Sequence, residues 1–520
     1  LDASTGTEIA RWPVGPHPNE MTLSRDGRLF VAEANHNSVS VIDVAAGRVL
    51  ERLSASLYPD APPGSMPNAL ALSPDGELLF VANATNNNVA VFDVEKRGQS
   101  RSLGFIPVGW FPTSVRVSSD GRTLLVANGK GAASAPNPRG PYPGSPAPRN
   151  LEEYIGGLFK GTLSIIDLPE EKDREARFGA WARTAKACSP LPESGRPRGE
   201  RPAGSPIPAK VGDPSPIRNV IYVVRENRTY DQVLGDLEKG RGDPRLCLFG
   251  EKITPNAHAL ARDFVLFDNL YADGEVSADG HEWTMGAFAT DFVERHWPLS
   301  YGHNTKKKYD YPAEGRFPIA FPANGYLWNR AAEAGVSYRS YGEFCFTPTK
   351  PGPVQSIASL PSLVGHIDEH YRAWDMDYPD VKRAERFISE LRRFERDGGM
   401  PRLQVLRLGN DHTQGTRAGK VTPAAMVAEN DLALGLIVEA VSRSRFWNDT
   451  AIFVLEDDTQ NGADHIDAHR MPGFVLGAWV KRGVVDPPQP MFRVIFLTIR
   501  RPPISTLILT LFPYTTLFRS

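Results

Sequence analysis

Two adjacent carboxylates, Asp457 and Asp458, follow the apolar run AIFVLE at 451–456, and two histidines, His465 and His469, come within the next twelve positions. Neighbouring carboxylates repel unless a cation or a proton stands between them. A mixed set of oxygen and imidazole donors suits zinc, manganese or iron better than the all-oxygen cage that calcium takes. Two other runs end in the same way. VIYVV at 220–224 leads through Arg225 into Glu226 and Asn227, and RLQVLRL at 402–408 leads into Asn410, Asp411 and His412. A polar residue must end any strand, so each group alone also fits a cap or a solvated turn. The agreement of three strand ends is what singles them out. A metal cluster also needs a group that attacks the substrate. Ser277 lies in the small-residue stretch EVSADGHEW, with Asp279, Gly280 and His281 after it and a helix expected from near Trp283. A hydroxyl at a helix N-terminus stands beside backbone N–H groups that bind phosphate oxygens, although a serine there also serves as an ordinary N-cap.

The elements that must position these groups are legible from periodicity. The run at 220–224 is rich in Val and Ile and unbroken rather than alternating, which fits a central parallel strand covered on both faces. Ligands of such sheets sit at the carboxyl ends of the strands, where Glu226 and Asn227 stand. Further strands are expected at 402–408, 451–456 and 473–480. The stretch 424–444 has helical spacing of Val427, Leu434, Val438 and Val441. Strands alternating with amphipathic helices make residues 217–486 an α/β layer domain.

The first 168 residues follow another rule. HPNEMTLSRDGRLFVAEANHNSVSVIDV, MPNALALSPDGELLFVANATNNNVAVFDV and FPTSVRVSSDGRTLLVANG each place a proline eight residues before an Asp-Gly, at Pro18 and Asp26, Pro67 and Asp75, and Pro112 and Asp120. Asp-Gly between strand-like runs marks a hairpin, and a period of roughly 45–50 residues marks propeller blades. The third copy is interrupted after Asn128 by a Pro/Gly-rich stretch and resumes as GTLSIIDL at 161–168. Three blades cannot close a ring that takes ~4–8, so an incomplete propeller is expected. Asn and Asp in these repeats are expected as turn formers. Residues 169–216, dense in Pro, Arg, Glu and Ser, read as a linker. The whole is a multidomain chain, a partial all-β propeller followed by an α/β domain.

A net charge of -2 with no basic stripe argues against nucleic acid as a partner. The cysteines are three, Cys188, Cys247 and Cys345, without a CxxC pair, which indicates neither a zinc knuckle nor a disulfide scaffold. The opening LDASTG offers no leader from which a compartment could be read. From about residue 493 the sequence RVIFLTIRRPPISTLILTLFPYTTLFRS has no period that joins it to what precedes, and Arg500-Arg501-Pro502-Pro503 interrupts any membrane span. Residues 487–520 are therefore expected to be a non-native tail of the kind left by sequencing-adaptor read-through.

The front repeats resemble YVTN-type β-propeller repeats, VANATNNNVAVFDV most closely. In the second half VIYVVRENRTYDQVLGDL, ALARDFVLFDNLYADGEVSADGHEWTMGAFATDFVE, GVSYRSYGEF, NDHTQGT and FVLEDDTQNGADHIDAHRMPGFVL, in this order, resemble the phosphoesterase family that joins bacterial phospholipase C and acid phosphatase within the alkaline phosphatase superfamily. The resemblance spans about residues 10–486. It implies Glu226 and Asn227 as metal ligands from the first strand, Ser277 as the hydroxyl nucleophile that becomes phosphorylated, and Asp457 with Asp458 as the late carboxylate pair. His469 resembles the histidine that precedes the last core strand in that superfamily. Asp411 resembles the Asp of its Asp-x-x-x-His, but position 415 is Gly and His412 is displaced, which puts a second metal site in doubt.

On that resemblance the chain is expected to be a metal-dependent phosphoric ester hydrolase acting on a phosphate-ester substrate, in a bacterial periplasmic or secreted setting. His281 or His412 would protonate the leaving group. A phospholipase C-like phosphodiesterase is the alternative, with Tyr341, Trp374 and Tyr378 as candidates to receive a choline head group. A non-catalytic, surface-binding propeller protein is the other. Every metal-type cluster lies after residue 217, so the propeller is expected to be dispensable for the chemistry and to bind a protein or cell-envelope component.

Overall fold

Each Asp-Gly turns a hairpin, with Gly27, Gly76 and Gly121 at φ 79°, 81° and 72°, a left-handed backbone that glycine adopts without strain. The structure, a computed structural model, describes residues 1–59, 61–141, 153–189, 204–207, 213–301, 309–348, 355–460, 462–486 and 492–493. The first blade is the antiparallel sheet β1 (Pro18–Leu23), β2 (Arg28–Glu33), β3 (Ser38–Asp43) and β4 (Arg48–Ser54). The second is β5 (Pro67–Leu72), β6 (Leu78–Asn83), β7 (Asn88–Asp93) and β8 (Arg101–Pro107). The third holds β9 (Trp110–Val117), β10 (Thr123–Gly131) and β11 (Thr162–Asp167), with β10 in the middle. The period of two sorts side chains between layers. Leu79 and Val81 pack with Phe30, Val39 and Val41 of the first blade, whereas Phe80 packs with Val115, Leu124 and Val126 of the third.

The composition of 169–216 suggested a linker, yet α1 (Arg174–Cys188) forms there and packs on β8. Phe178 is buried, and its carbonyl lies 3.0 Å from where a Cβ on Gly104 would be. The apolar residues of the helix are mostly Ala and form no single stripe, so helical spacing does not mark it in the sequence. Most of the remainder of that stretch lies outside the described residues.

The α/β domain runs β12 (Asn219–Arg225), α2 (Tyr230–Leu234), α3 (Pro255–Asp263), β13 (Val265–Tyr271), α4 (Ser277–Gly286), α5 (Asp291–Tyr301), α6 (Leu327–Glu333), β14 (Tyr338–Tyr341), β15 (Cys345–Phe346), β16 (Ile357–Ala358), α7 (Asp380–Asp397), β17 (Leu403–Arg407), α8 (Pro423–Arg443), β18 (Thr450–Glu456), β19 (Arg470–Gly477), β20 (Val484–Asp486) and β21 (Phe492–Arg493). Among the described residues one mixed sheet has the order β14-β17-β12-β18-β19-β13-β20, with β21 also on β13. β12 pairs in parallel with β17 and β18, and β19 runs antiparallel to both its neighbours. The strand expected at 473–480 thus starts earlier, at Arg470, and points the other way. Apart from β21, the expected tail lies outside the described residues. All seven residues of β12 are buried, as a strand covered on both faces requires. On one face α8 begins at Pro423, with the Thr422 side chain accepting from Ala425 N–H, and buries Val427, Leu434, Ile437 and Val441.

Register does the rest. Arg225 pairs with Glu456 and Val224 with Arg407. The residues after all three strands therefore emerge together on one rim. β13 also points there and delivers the loop into α4, and antiparallel β19 starts from the same side at Arg470.

Candidate active site

The chain leaves β12 through Asn227, at φ 63°, a left-handed conformation that Asn tolerates better than other residues with a side chain. That turn ends the strand and directs the Asn227 amide to Asp458 Oδ1 and, at 3.4 Å, to Ser277 Oγ. Helix α4 starts at Ser277 itself, six residues ahead of the expected start. The reason is local. Asp279 accepts from the backbone N–H of Glu275 at 3.0 Å and Val276 at 2.9 Å, so the helix is capped from within. Gly280 allows α4 to lie on the end of β18, for a Cβ there would stand 2.6 Å from the Asp457 carbonyl oxygen.

Ser277 Oγ donates to Asp458 Oδ2 at 3.0 Å and lies 3.4 Å from Glu226 Oε2. Glu226, His281 and Asp457 each offer an atom within 4.8 Å of the others, and all three are buried. His281 Nε2 is 3.1 Å from Glu226 Oε1 and 3.4 Å from Asp457 Oδ2, while its Nδ1 faces Glu343 Oε1 at 2.8 Å. The imidazole thus points Nε2 at the acids that would share an ion with it and has a carboxylate behind its other nitrogen, as metal-ligating histidines do. Among the described residues no hydrogen bond reaches the buried Asn227 Oδ1 or Asp457 Oδ2. Acceptors left so in a dry site fit a cation.

Electrostatics point the same way. Burial, then Asp458 and Glu226, push Asp457 well above the usual carboxylate range, and burial raises Asp458 to about 7. Burial would raise Glu226 too, but Arg407 and His281 outweigh it and bring it down to about 2. Burial and Arg407 oppose charge on His281, yet Glu343, Glu314 and Asp457 hold it well above its ordinary value. Asp457 and Asp458 resist ionising beside an ionised Glu226, and a divalent ion at these donors would offset that repulsion.

The structure thus brings Glu226, Asn227, Ser277, His281, Asp457 and Asp458 together. It does not bring Asp411, His465 or His469 into that group. Asp411 is buried beneath it, accepting from Glu226 N–H at 3.1 Å and paired with Arg225 Nε at 3.4 Å. His465 pairs with Asp231 at 2.6 Å, beside Asp464 and Arg470. His469 pairs with Asp467 at 3.0 Å and faces Glu275 at 3.8 Å. In each case a nearer partner claims the side chain; Arg225 and Asp231 are far from Asp411 and His465 in sequence, whereas Asp467 stands two positions before His469. His412 stands against Trp374, its Nδ1 2.7 Å from the Thr413 carbonyl oxygen. Thr284 donates back to the His281 carbonyl oxygen at 3.1 Å. Tyr341 is buried with its hydroxyl on Gln404, Arg407 lies over Trp374, and Arg372 and Arg383 lie over Tyr378, so these rings already have partners. The three cysteines are free thiols.

Three residues escaped the sequence reading. Arg407 holds Glu226 at 2.6 Å and Glu314 at 2.7 Å, and Glu343 pairs with His281 at 2.8 Å. Arg407 and Glu343 did carry a signal. Arg407 ends a buried strand as Glu226 follows one, and Glu343 comes just after β14 on the same rim.

Comparisons with known proteins bear on each half separately. Residues 11–135 match the model of a family described as lactonase, seven-bladed β-propeller. No curated protein matches. Hydrazine synthase of Kuenenia stuttgartiensis is 30% identical over 24% of this chain and 32% of its own, with a TM-score of 0.19. A protein in the alkaline phosphatase superfamily from Vibrio parahaemolyticus is 16% identical over 50% of this chain and 60% of its own, with a TM-score of 0.32. The periplasmic gluconolactonase of Pseudomonas aeruginosa is 27% identical over 21% of this chain and 33% of its own, with a TM-score of 0.18. The chain therefore spans 32% to 60% of the length of these structures. No helix of the described residues is long and apolar enough to cross a membrane.

Proposed function

We propose that residues 217–486 form a metal-dependent phosphoric ester hydrolase with Ser277 as nucleophile, joined to a propeller that binds a protein or cell-envelope component in a periplasmic or secreted setting. The observation that carries this reading is the Ser277 hydroxyl, first in α4 and 3.0 Å from Asp458 Oδ2, set among buried acids that fit a cation. Glu226, Asn227, His281, Asp457 and Asp458 would hold the ion, zinc, manganese or iron. When bound it supplies a Lewis acid that neutralises phosphoryl oxygens and favours an ionised serine.

The chain's own groups do the rest. Asp458 Oδ2 takes the Ser277 proton as Oγ bonds to phosphorus and the ester P–O bond breaks. First-turn N–H groups of α4 face the phosphoryl oxygens. His412 gives a proton to the departing alcohol oxygen. Water then gives a proton to His412 as it attacks phosphorus, the Oγ–P bond breaks, and Ser277 recovers its proton from Asp458 with release of phosphate. The occupied faces of Trp374 and Tyr378 favour a monoester over a choline phosphodiester as substrate. The test is a panel of phosphate mono- and diesters with metal analysis and rapid quench. Metal-dependent monoester turnover with phosphate trapped on Ser277 is expected. Full activity of Ser277→Ala would overturn the serine mechanism.

A further inference from the structure

The third blade sends one excursion into the α/β domain, and it touches the site from both sides. At its start Lys130, on β10, places Nζ 2.7 and 2.9 Å from the two carboxylate oxygens of Glu275 and 3.1 Å from Glu294 Oε2. Glu275 is buried two residues before Ser277, and its backbone N–H is one of the two that Asp279 caps. Glu275, Asp279 and Glu294 form a buried acidic group of their own, in which an ammonium from the propeller stands where a metal would. The rings of Trp110, Phe111 and Phe159, all from the same blade, lie 4.9 to 5.6 Å from Nζ and hold it in place.

Further along, Asn137 is 1% exposed and clasps the loop that follows Asp458. Its N–H donates to the Asp464 carbonyl oxygen at 3.0 Å, its side chain accepts from Asp464 N–H at 2.9 Å, and its amide donates to the Gly462 carbonyl oxygen at 2.8 Å. Ala468 N–H donates to the Ala135 carbonyl oxygen at 3.0 Å. Tyr154 receives a hydrogen bond from Gln460 at 2.8 Å, and Gln460 N–H in turn donates to Asp458 Oδ1 at 2.7 Å.

We propose that the propeller is part of the catalytic unit, with Lys130 a positioning residue that fixes Ser277 by neutralising Glu275 at the entrance to α4. This rests on the hydrolase reading for its activity readout, and it reverses the expectation that the propeller is dispensable for the chemistry. Without the ammonium, Glu275 and Glu294 repel across a few ångströms of buried space, and the segment 275–277 must move to reach water or protons. Ser277 moves with it, away from Asp458.

The experiment uses the full chain and compares Lys130→Met, Lys130→Arg and, as a docking control, His17→Gln, which removes a different propeller contact, the one to Asp291 at the start of α5. Steady-state kinetics are paired with amide hydrogen exchange over 275–286, recorded without substrate. For Lys130→Met a fall in kcat on the order of 100-fold is expected, with KM changed far less, because a displaced nucleophile weakens the chemical step rather than binding. Exchange should rise over 275–286. Lys130→Arg should recover most of both, and His17→Gln should leave kcat near wild type. If Lys130→Met does not fold, Lys130→Met/Glu294→Gln removes one of the opposed charges while Glu275 still lacks its ammonium, and changes in kcat and exchange of the same direction and smaller size are expected in it. A folded Lys130 variant with wild-type kcat and wild-type exchange overturns the inference. If the wild type turns over no phosphate ester but Lys130→Met still loosens 275–286, the hydrolase reading falls and the positioning role stands.

Discussion

Asn227 joins backbone and chemistry in one residue. Its left-handed φ ends β12, and the same turn sets its amide between Asp458 and Ser277. Such a position was visible in the sequence as an apolar run broken by Glu-Asn, and Asp457-Asp458 was visible for the same reason. Arg407 carried only its place at a strand end, which also fits a solvated arginine, and its partner Glu226 is far away in sequence. Different substitutions should separate the roles. Ser277→Ala is expected to lower kcat by at least ~10³-fold while metal content stays near wild type, since a serine contributes at most one of several donor atoms. Asp457→Asn should lower both turnover and bound metal, because its charge holds the ion. Mass spectrometry of the bound metal beside kinetics checks the pair, and metal loss in Ser277→Ala with none in Asp457→Asn would invert the assignment.

Helix α4 shows what an element must do to present a nucleophile. It has to start at Ser277, which Asp279 arranges, and lie on β18, which Gly280 permits. The sequence suggested a later start because Gly280 lowers helical propensity, and the close approach that requires this glycine is a tertiary fact. Gly280→Ala is expected to retain the circular dichroism of the native fold but lose ~10–100-fold in kcat as α4 is pushed off the strand end. The loop before β19 makes a pH prediction. Burial opposes charge on His469, but Asp467 and Glu275 outweigh it and raise the group from 6.5 to about 9. A raised value means that the folded state binds the proton more tightly. The resulting stability is complete below about pH 6.5 and is lost as pH rises through about 9, amounting to no more than about 3 kcal/mol. Urea titrations of wild type and His469→Gln should differ most at pH 6 and converge by pH 10. A gap that widens with pH would count against this sign.

In the whole molecule the two halves were legible to different degrees. Period and Asp-Gly turns gave the blades, and apolar runs gave the sheet, because both signals are local. The junction was hidden. Lys130 falls just where the third repeat breaks off, so no periodicity predicts its partner, and helix α1 hides in a stretch that reads as linker. The outer faces of the blades are more open. Leu163 and Ile165 on β11 are 58% and 67% exposed, and Met21 and Leu23 on β1 are 66% and 62% exposed. A Leu163→Ser/Ile165→Ser variant is expected to reduce concentration-dependent light scattering while kcat stays within about two-fold of wild type, since neither residue approaches the site. Equal scattering would show that this face takes no part in association. The buried ammonium has a consequence for engineering. A chimaera that keeps residues 217–486 and borrows its propeller elsewhere inherits whatever side chain stands at the place of Lys130. Only a cation there can meet Glu275 and Glu294, so active members of such a library should be confined to those carrying Lys or Arg at that one position. The two modules recombine as a matched pair.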